Sequence, residues 1–359
     1  MRQVDTTLKI FLRKFYKGCV SIWVFLSGVA IKRKRVATVF YCGARRGDIG
    51  GPLVKIKRLQ AEFPQSNFAY NNVYLISNAP YLSREALLSL KRKNIKITLN
   101  QNGVFYPSWY GEGWEIKNQE MAIAYHISDY VFWQSHFCKR AAERFLGHRD
   151  GKGEILYNAV DLNHFRPANR RCNKKFTFLL AGKVQHQLSY RLISALESLA
   201  FVRKKSLNAH LNVAGWIEDS AQFKRLITDL KLEEHVTILG PFSQKDAPGL
   251  FQTSDAFLSN THMDACPNTV IEALACGLPV VYNSTGGVPE LVGLNAGVPV
   301  KSHENWNNVS VPSAELFAMS MLELAERRDE MADAARAQAE KHFCILRWFQ
   351  RHREIFTSN

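Results

Sequence analysis

Residues 259–293 read SNTHMDACPNTVIEALACGLPVVYNSTGGVPELVG. Asn268 is placed to cap a helix, and Thr269 to Cys276 has the composition of a short buried helix. Gly277 stands where a left-handed C-cap residue belongs, with Pro279 just beyond it. Leu278 to Tyr282 is a short apolar run that reads as a buried strand, ended by the loop Asn283–Gly287. The segment is thus a loop, a helix with a free N-terminus, a strand and a second glycine-rich loop. Free N–H groups and roughly half a positive charge collect at such an N-terminus, which suits a diphosphate. Asp264 lies before the helix, and Glu272 lies one turn inside it on the Asn268 face. Two carboxylates beside an anion site cannot bind the anion themselves. They suit hydroxyl groups on either side of a diphosphate, as in a nucleotide sugar.

The rest of the 359-residue chain is long enough for two α/β domains. Hydrophobic content of 46% with 22% charged residues is that of a globular protein. The seven cysteines are scattered and form no CxxC pair, which points to reduced thiols in a cytosol-like compartment. The net charge is +15, and +8 of it falls in residues 1–35, which hold nine Lys/Arg and one acid, Asp5. The basic excess is therefore local. No nucleic-acid motif accompanies it, so nucleic acid is not expected as a partner.

Within that leader, Leu8, Phe11, Leu12 and Phe15 repeat at helical spacing, and Cys19 to Ile31 runs without a charge. The run is short of the about 20 apolar residues a spanning helix needs, and no convincing cleavage site precedes Lys32–Arg35. An interfacial or shallowly inserted anchor on anionic lipid is expected, with an extra helix packed on the first domain as the alternative.

Val36 to Cys42 reads as the first strand, followed by a glycine-rich loop, Gly43–Gly51, and a helix opened by Pro52. Strands are expected at Val73–Ser77, Ile95–Leu99, Tyr130–Gln134 and Glu154–Tyr157, the alternation of a parallel doubly wound sheet. The aromatic segment Val104–Trp114 suits stacking on a sugar face or lipid tail, and equally a structural loop. Arg170 to Lys175 reads as a linker. Beyond it, strands at Phe176–Ala181, His210–Ala214, Val236–Leu239 and Ala256–Ser259 alternate with helices in a second Rossmann-like unit. Lys183, just after the first of these strands, can meet a diphosphate as a point charge.

The opening segment resembles the donor site of retaining GT-B glycosyltransferases of the glycosyltransferase 4 type. That family carries two acids separated by seven positions, an EAxAxGxPVV run and a GGxPE turn. Here these are Asp264-x7-Glu272, Glu272-Ala-Leu-Ala-Cys-Gly-Leu-Pro-Val-Val281 and Gly286-Gly-Val-Pro-Glu290. Tyr157 to Pro167 resembles the family's YNGVDxxxFxP signature, with Ala159 in place of glycine, and Ile238–Phe242 resembles its FLGxV turn beside the nucleobase. The resemblance covers most of residues 36–356.

The resemblance implies an α/β GT-B fold, two Rossmann-like domains facing across a cleft, with an N-terminal basic and apolar helical extension. The expected divisions are a membrane-associating segment at 1–35, an acceptor domain at 36–168, a nucleotide-sugar donor domain at 169–335 and a returning helix at 336–359. It implies transfer of a sugar from a nucleotide diphosphate sugar, with retention, to a glycan or lipid-linked acceptor in surface polysaccharide or lipopolysaccharide synthesis. The setting would be peripheral, at the cytoplasmic face of the inner membrane.

Asp264, with the backbone of Ala265, Cys266 and Pro267, would hold donor-sugar hydroxyls, and Glu272 the ribose. Lys183, Gly182 and the N-terminus at Asn268 and Thr269 would meet the leaving diphosphate, opposed by Gly50 and Gly51 from the first domain. The family's second phosphate-binding cation falls near Gln187 or Leu188 here, leaving His186 and Arg191 as candidates. A histidine common in relatives near Asn100–Gly103 is missing, leaving an amide or His126. No metal and no cofactor are expected, the nucleotide sugar being a co-substrate. The rival readings are a sugar-nucleotide epimerase, a phosphorylase, and a non-catalytic scaffold that binds a nucleotide sugar at the membrane.

Overall fold

The computed structural model describes residues 2–28, 36–44, 46–47, 50–78, 82–168, 175–205 and 207–358, with backbone alone for 2–10 and 13. The basic run Lys32–Arg35, residues 45, 48 and 49 of the glycine-rich loop, and residues 170–174 of the expected linker lie outside the described residues. The chain divides into two units. The first comprises Met1–Leu156 and Arg347–Asn359, the second Tyr157–Leu346.

The first unit is built on five parallel strands, β1 Val39–Phe40, β2 Asn72–Ile76, β3 Lys96–Gln101, β4 Tyr130–Trp133 and β5 Lys152–Ile155. Their order is β1-β2-β3-β4-β5, so this sheet has no reversal of strand order. Parallel neighbours need crossovers, and helices supply them. Two are α2 (Gly51–Glu62), with Pro52 in its first turn, and α3 (Arg84–Arg92), capped by the Ser83 hydroxyl accepting from Ala86 N–H at 3.2 Å. The C-terminal helix Ile345–Thr357 packs His352 and Phe356 on Tyr74 of β2, and His352 also meets Phe132 of β4 and Trp348. Asn72 donates to Phe356 O at 3.0 Å, and Arg351 pairs with Glu154 at 2.6 Å.

The leader is one helix, α1 (Arg2–Leu26). Its second half packs on α3, burying Val20 and Val24. The alternative of a packed extra helix thus holds for that half. No helix among the described residues is long and apolar enough to cross a membrane.

The second unit holds β6 Phe176–Ala181, β7 Ala209–Ala214, β8 Val236–Gly240, β9 Ala256–Ser259, β10 Val280–Asn283 and β11 Gly297–Val300, all parallel. The order β11-β10-β9-β6-β7-β8 reverses between β6 and β9. Period-two alternation splits the strand residues between two cores. Leu179, Ala181, Phe257 and Tyr282 join the helix Asn268–Ala275, while Phe178, Leu180, Leu258 and Val281 join Phe317 and Met321. Each fully buried Val, Ile or Leu in that helix (Val270, Ile271, Leu274) contributes about 1.5–3 kcal/mol.

The unit boundaries differ from the expected 168/169 and 335/336. Val160 and Phe165 sit in the core around Asn268–Ala275, so the chain joins the second unit at Tyr157. Residues 336–342 finish the helix Arg328–His342, which inserts Ala335 and Ala339 into the same core, so the return begins only at Arg347. The two ends of the unit are stitched together: Val160 N–H donates to Phe343 O at 2.8 Å, and Ile345 N–H to Val160 O at 3.1 Å.

Candidate active site

In an open parallel sheet, ligands bind beyond the carboxyl ends of the strands at the reversal of order. In the second unit that place lies past β6 and β9. β6 ends in Gly182-Lys183, and β9 runs into the loop that carries Asp264. The sequence-derived residues Gly182, Lys183, Asp264–Thr269 and Glu272 all belong to this unit. Gly50 and Gly51 belong to the first, beyond the carboxyl end of β1, where Gly50 has φ 96° and Gly51 opens α2.

Gly182 is fixed by φ 122° and by N–H donation to Ala214 O at 2.9 Å. Lys183 projects into solvent. Beneath this turn lies Arg191, only 7% exposed, from the helix Ser189–Lys204. Its guanidinium donates to Ala181 O at 3.2 Å and Lys183 O at 3.4 Å, while Nε has no hydrogen-bond partner among the described residues. Burial lowers its pKa, and Asp264 opposes that shift. His186 is exposed and engages Glu218 through its backbone N–H. Of the two candidates for the second cation, Arg191 is the one gathered under the Gly182 turn.

The Asp264 loop is clamped against the second glycine-rich loop. Gly287 N–H donates to Asp264 O at 2.8 Å, and Met263 N–H to Thr285 Oγ1 at 3.2 Å. Gly286 has φ 76°, and a Cβ there would fall 2.6 Å from Asp264 O, so only glycine fits. The Asp264 carboxylate accepts Cys266 N–H at 3.2 Å. Burial raises its pKa, offset in part by that hydrogen bond and by Arg191.

The helix Asn268–Ala275 has Pro267 at its N-cap, so Asn268 is the first helical residue rather than the expected cap. Its side chain makes no cap hydrogen bond, and Asn268 Oδ1 is buried without a partner among the described residues. Glu272 is 2% exposed, and its Oε1 accepts from Gln244 Nε2 at 3.2 Å. Gln244 was not foreseen; its only signal in the sequence is its place two residues after the Ile238–Phe242 turn. Asn158 was also missed, although the YNAVD stretch contains it. Its Nδ2 donates to Cys266 O at 2.9 Å and its N–H to Cys266 Sγ at 3.4 Å. The neighbouring Tyr157 hydroxyl reaches Glu290 Oε2 at 3.4 Å.

In the first unit, Asn100 and Asn102 lie at the carboxyl end of β3 in an amide cluster. Asn100 Oδ1 accepts from buried Lys55 at 2.7 Å and from Gln134 at 2.9 Å. Asn102 N–H donates to Ser77 Oγ at 2.9 Å. An amide therefore occupies the place where the missing histidine was expected. His126 ends the helix Trp114–Ile127, which precedes β4, and its ring meets Leu146 O at 2.7 Å. It belongs at the amino end of the sheet, and its candidacy falls. The aromatic segment divides: Tyr106 is buried and stacks on Phe145, while Trp109 and Tyr110 face solvent.

Two parallel-sheet α/β units, the second with a reversal that gathers cations, acids and a helix N-terminus, define the GT-B class. Residues 163–338, just under half of the chain, match the family model of glycosyl transferases group 1. Among curated proteins, the D-inositol 3-phosphate glycosyltransferase of Pseudarthrobacter chlorophenolicus is 24% identical over 149 residues, 39% of this chain and 36% of that protein. The D-inositol 3-phosphate glycosyltransferase of Mycobacterium tuberculosis is 28% identical over 166 residues, 42% of this chain and 33% of that protein. The match thus spans well under half the length of these relatives. The fold likeness is wider. HepE of Anabaena, solved with UDP, has TM-score 0.65 and 18% identity over 86% of this chain and 83% of its own. A glycosyltransferase of Rickettsia africae has TM-score 0.62 and 19% identity over 87% of this chain and 83% of its own.

Proposed function

We propose that the protein is a retaining glycosyltransferase of the glycosyltransferase 4 type. It moves a sugar from a nucleotide diphosphate sugar to a glycan or lipid-linked acceptor in surface polysaccharide or lipopolysaccharide synthesis, peripherally at the cytoplasmic membrane face. The observation that carries this reading is the meeting of Lys183, Arg191, Asp264 and the helix N-terminus at the strand reversal. The barrier is departure of the diphosphate as the sugar gains oxocarbenium character. Lys183, the buried Arg191 charge and the N–H groups at Asn268 and Thr269 stabilise the leaving charge. Asp264 and the backbone of 265–267 hold the sugar hydroxyls. Glu272 takes the ribose once Gln244 gives up its hydrogen bond. With that positive charge supplied by side chains, transfer proceeds without a metal. The UDP complex of HepE makes uridine donors the first to try.

The test is a panel of UDP, GDP and ADP sugars, read by thermal shift and slow donor hydrolysis, with Asp264→Ala and Glu272→Ala as controls. One donor should stabilise the wild type and lose its effect in both variants. Stabilisation that survives in both would refute the site.

A further inference from the structure

Among the described side chains, helix α1 is fixed to the first unit along one face. The Tyr16 hydroxyl donates to Gly43 O at 3.3 Å, three residues past the end of β1. At its other end Gly28 abuts Tyr70 and Ile95, which stand just before β2 and β3. The helix therefore runs antiparallel to the strands, from the sheet's carboxyl end at Tyr16 to its amino end at Gly28. Arg2 to Phe15 continue beyond the carboxyl end for about 21 Å at 1.5 Å per residue.

The attachment is specific. Ser21 Oγ accepts from Ser83 N–H at 3.0 Å, and Trp23 Nε1 donates to Asn67 O at 2.9 Å. The Lys93 ammonium closes the helix C-terminus on the carbonyls of Val24, Phe25 and Ser27 at 3.0, 3.0 and 2.6 Å. Roughly opposite the buried Val20, Val24 and Ser27, a second apolar face looks outward. Phe11, Phe15, Ile22 and Leu26 follow at spacings of 4, 7 and 4, flanked by Leu12 and Phe25, and all six are exposed. Phe15 is 64% exposed and Leu26 78%. Lys14 borders this stripe, in a leader whose net charge is +8, while Lys17 lies toward Glu85 of α3.

An apolar stripe of this length on a rigidly held, cationic helix matches one surface, an anionic bilayer. We propose that α1 lies in such a surface along its Phe11–Phe15–Ile22–Leu26 face, and that its overhang brings the carboxyl end of the first sheet to the lipid headgroups. The inference rests on the glycosyltransferase reading only for what waits there, a lipid-linked acceptor. Because α1 is fixed to α3, binding sets the orientation of the whole first unit.

The test uses the full chain and vesicles of phosphatidylcholine with phosphatidylglycerol, against phosphatidylcholine alone, scored by co-sedimentation. The wild type should favour the anionic vesicles by about tenfold or more. Phe15→Ser with Ile22→Ser should lose about tenfold or more of that binding, while Leu294→Ser, 97% exposed in the second unit, changes nothing. A polarity-sensitive fluorophore on exposed Cys19, in a Cys172→Ser, Cys344→Ser background, should shift to the blue on the anionic vesicles. Wild-type binding retained by the double variant, absent binding, or an unshifted fluorophore would overturn the proposal. So would a wild-type dimer that the double variant dissolves, since a second copy would then cover the face. Donor hydrolysis in solution should be unchanged in the double variant. If no protein hydrolyses any donor while vesicle binding behaves as described, the membrane face stands and the transferase reading falls.

Discussion

Asn158 donates its side-chain amide to the carbonyl of Cys266 at 2.9 Å, tying the first residues of the second unit to the loop that carries Asp264. Cys266 lies two residues past Asp264, so this bond sets where the carboxylate stands. Asn158→Ala should lower stability by about 1 kcal/mol, the net worth of one buried hydrogen bond. It should also raise the donor KM several-fold with a smaller change in kcat. Melting curves and donor saturation kinetics check both, and an unchanged KM would make Asn158 merely structural.

Asp264 is held as a buried carboxylate at a cost. Burial raises its pKa above 3.8, so the folded state binds the proton more tightly than the unfolded chain. That contribution to stability is complete below about pH 3.8 and is lost as pH rises through the folded pKa. At neutral pH, Asp264→Asn should therefore melt a few degrees higher than the wild type and lose most transfer activity. The gain in melting temperature should shrink as the medium is acidified. A less stable variant at neutral pH would contradict the sign.

Arg191 should be irreplaceable in a graded way. Arg191→Met removes a cation from beneath the Gly182 turn and should lower kcat/KM by on the order of a hundredfold, if the leaving charge is its target. Arg191→Lys keeps the charge but not the paired donors to Ala181 and Lys183, so it should recover only part of the loss. The corresponding readout is product nucleotide affinity, which should weaken in the same order. His186→Ala should leave both parameters within about twofold, since an exposed ring contributes little.

His352 gives the first unit its own acid limit. Buried between Trp348 and Phe132, and bonded to Tyr74 and Trp348, its imidazole has a pKa lowered from 6.5 to about 3 by burial. A depressed pKa contributes stability above pH 6.5 that is lost as pH falls toward 3. The melting temperature should drop across that window, and His352→Gln should flatten the slope while lowering the neutral-pH value. Equal slopes in both proteins would rule the residue out.

Much of this molecule is legible where the information is local. Phe176–Ala181 and Ala256–Ser259 read as strands to the residue because short apolar runs ended by Gly or a polar loop leave few alternatives. The helix Asn268–Ala275 was legible to within one residue at each end, expected as Thr269–Cys276, because Val270, Ile271, Ala273, Leu274 and Ala275 are apolar and Gly277 follows them. What stayed hidden depends on neighbours distant in sequence. Arg191 was one of two candidates, eight positions after Lys183, and the choice of it needed the helix Ser189–Lys204, which turns the guanidinium under Gly182. Gln244 covers Glu272 from a loop twenty-eight positions away. His126 looked available until the helix direction placed it at the wrong end of the sheet. In α1, the apolar residues of the second half read as one inserting surface, whereas Val20 and Val24 are core and Ile22 and Leu26 are not.

The stitched pair at Val160 and Cys344 has a further consequence. The chain enters and leaves the second unit at adjacent points, so residues 157–346 form a closed cassette within the sequence of the first. Such a cassette can be replaced wholesale at two neighbouring splice points. On the proposed reading, a swap of this cassette would exchange donor preference without altering a residue of the unit that carries the leader.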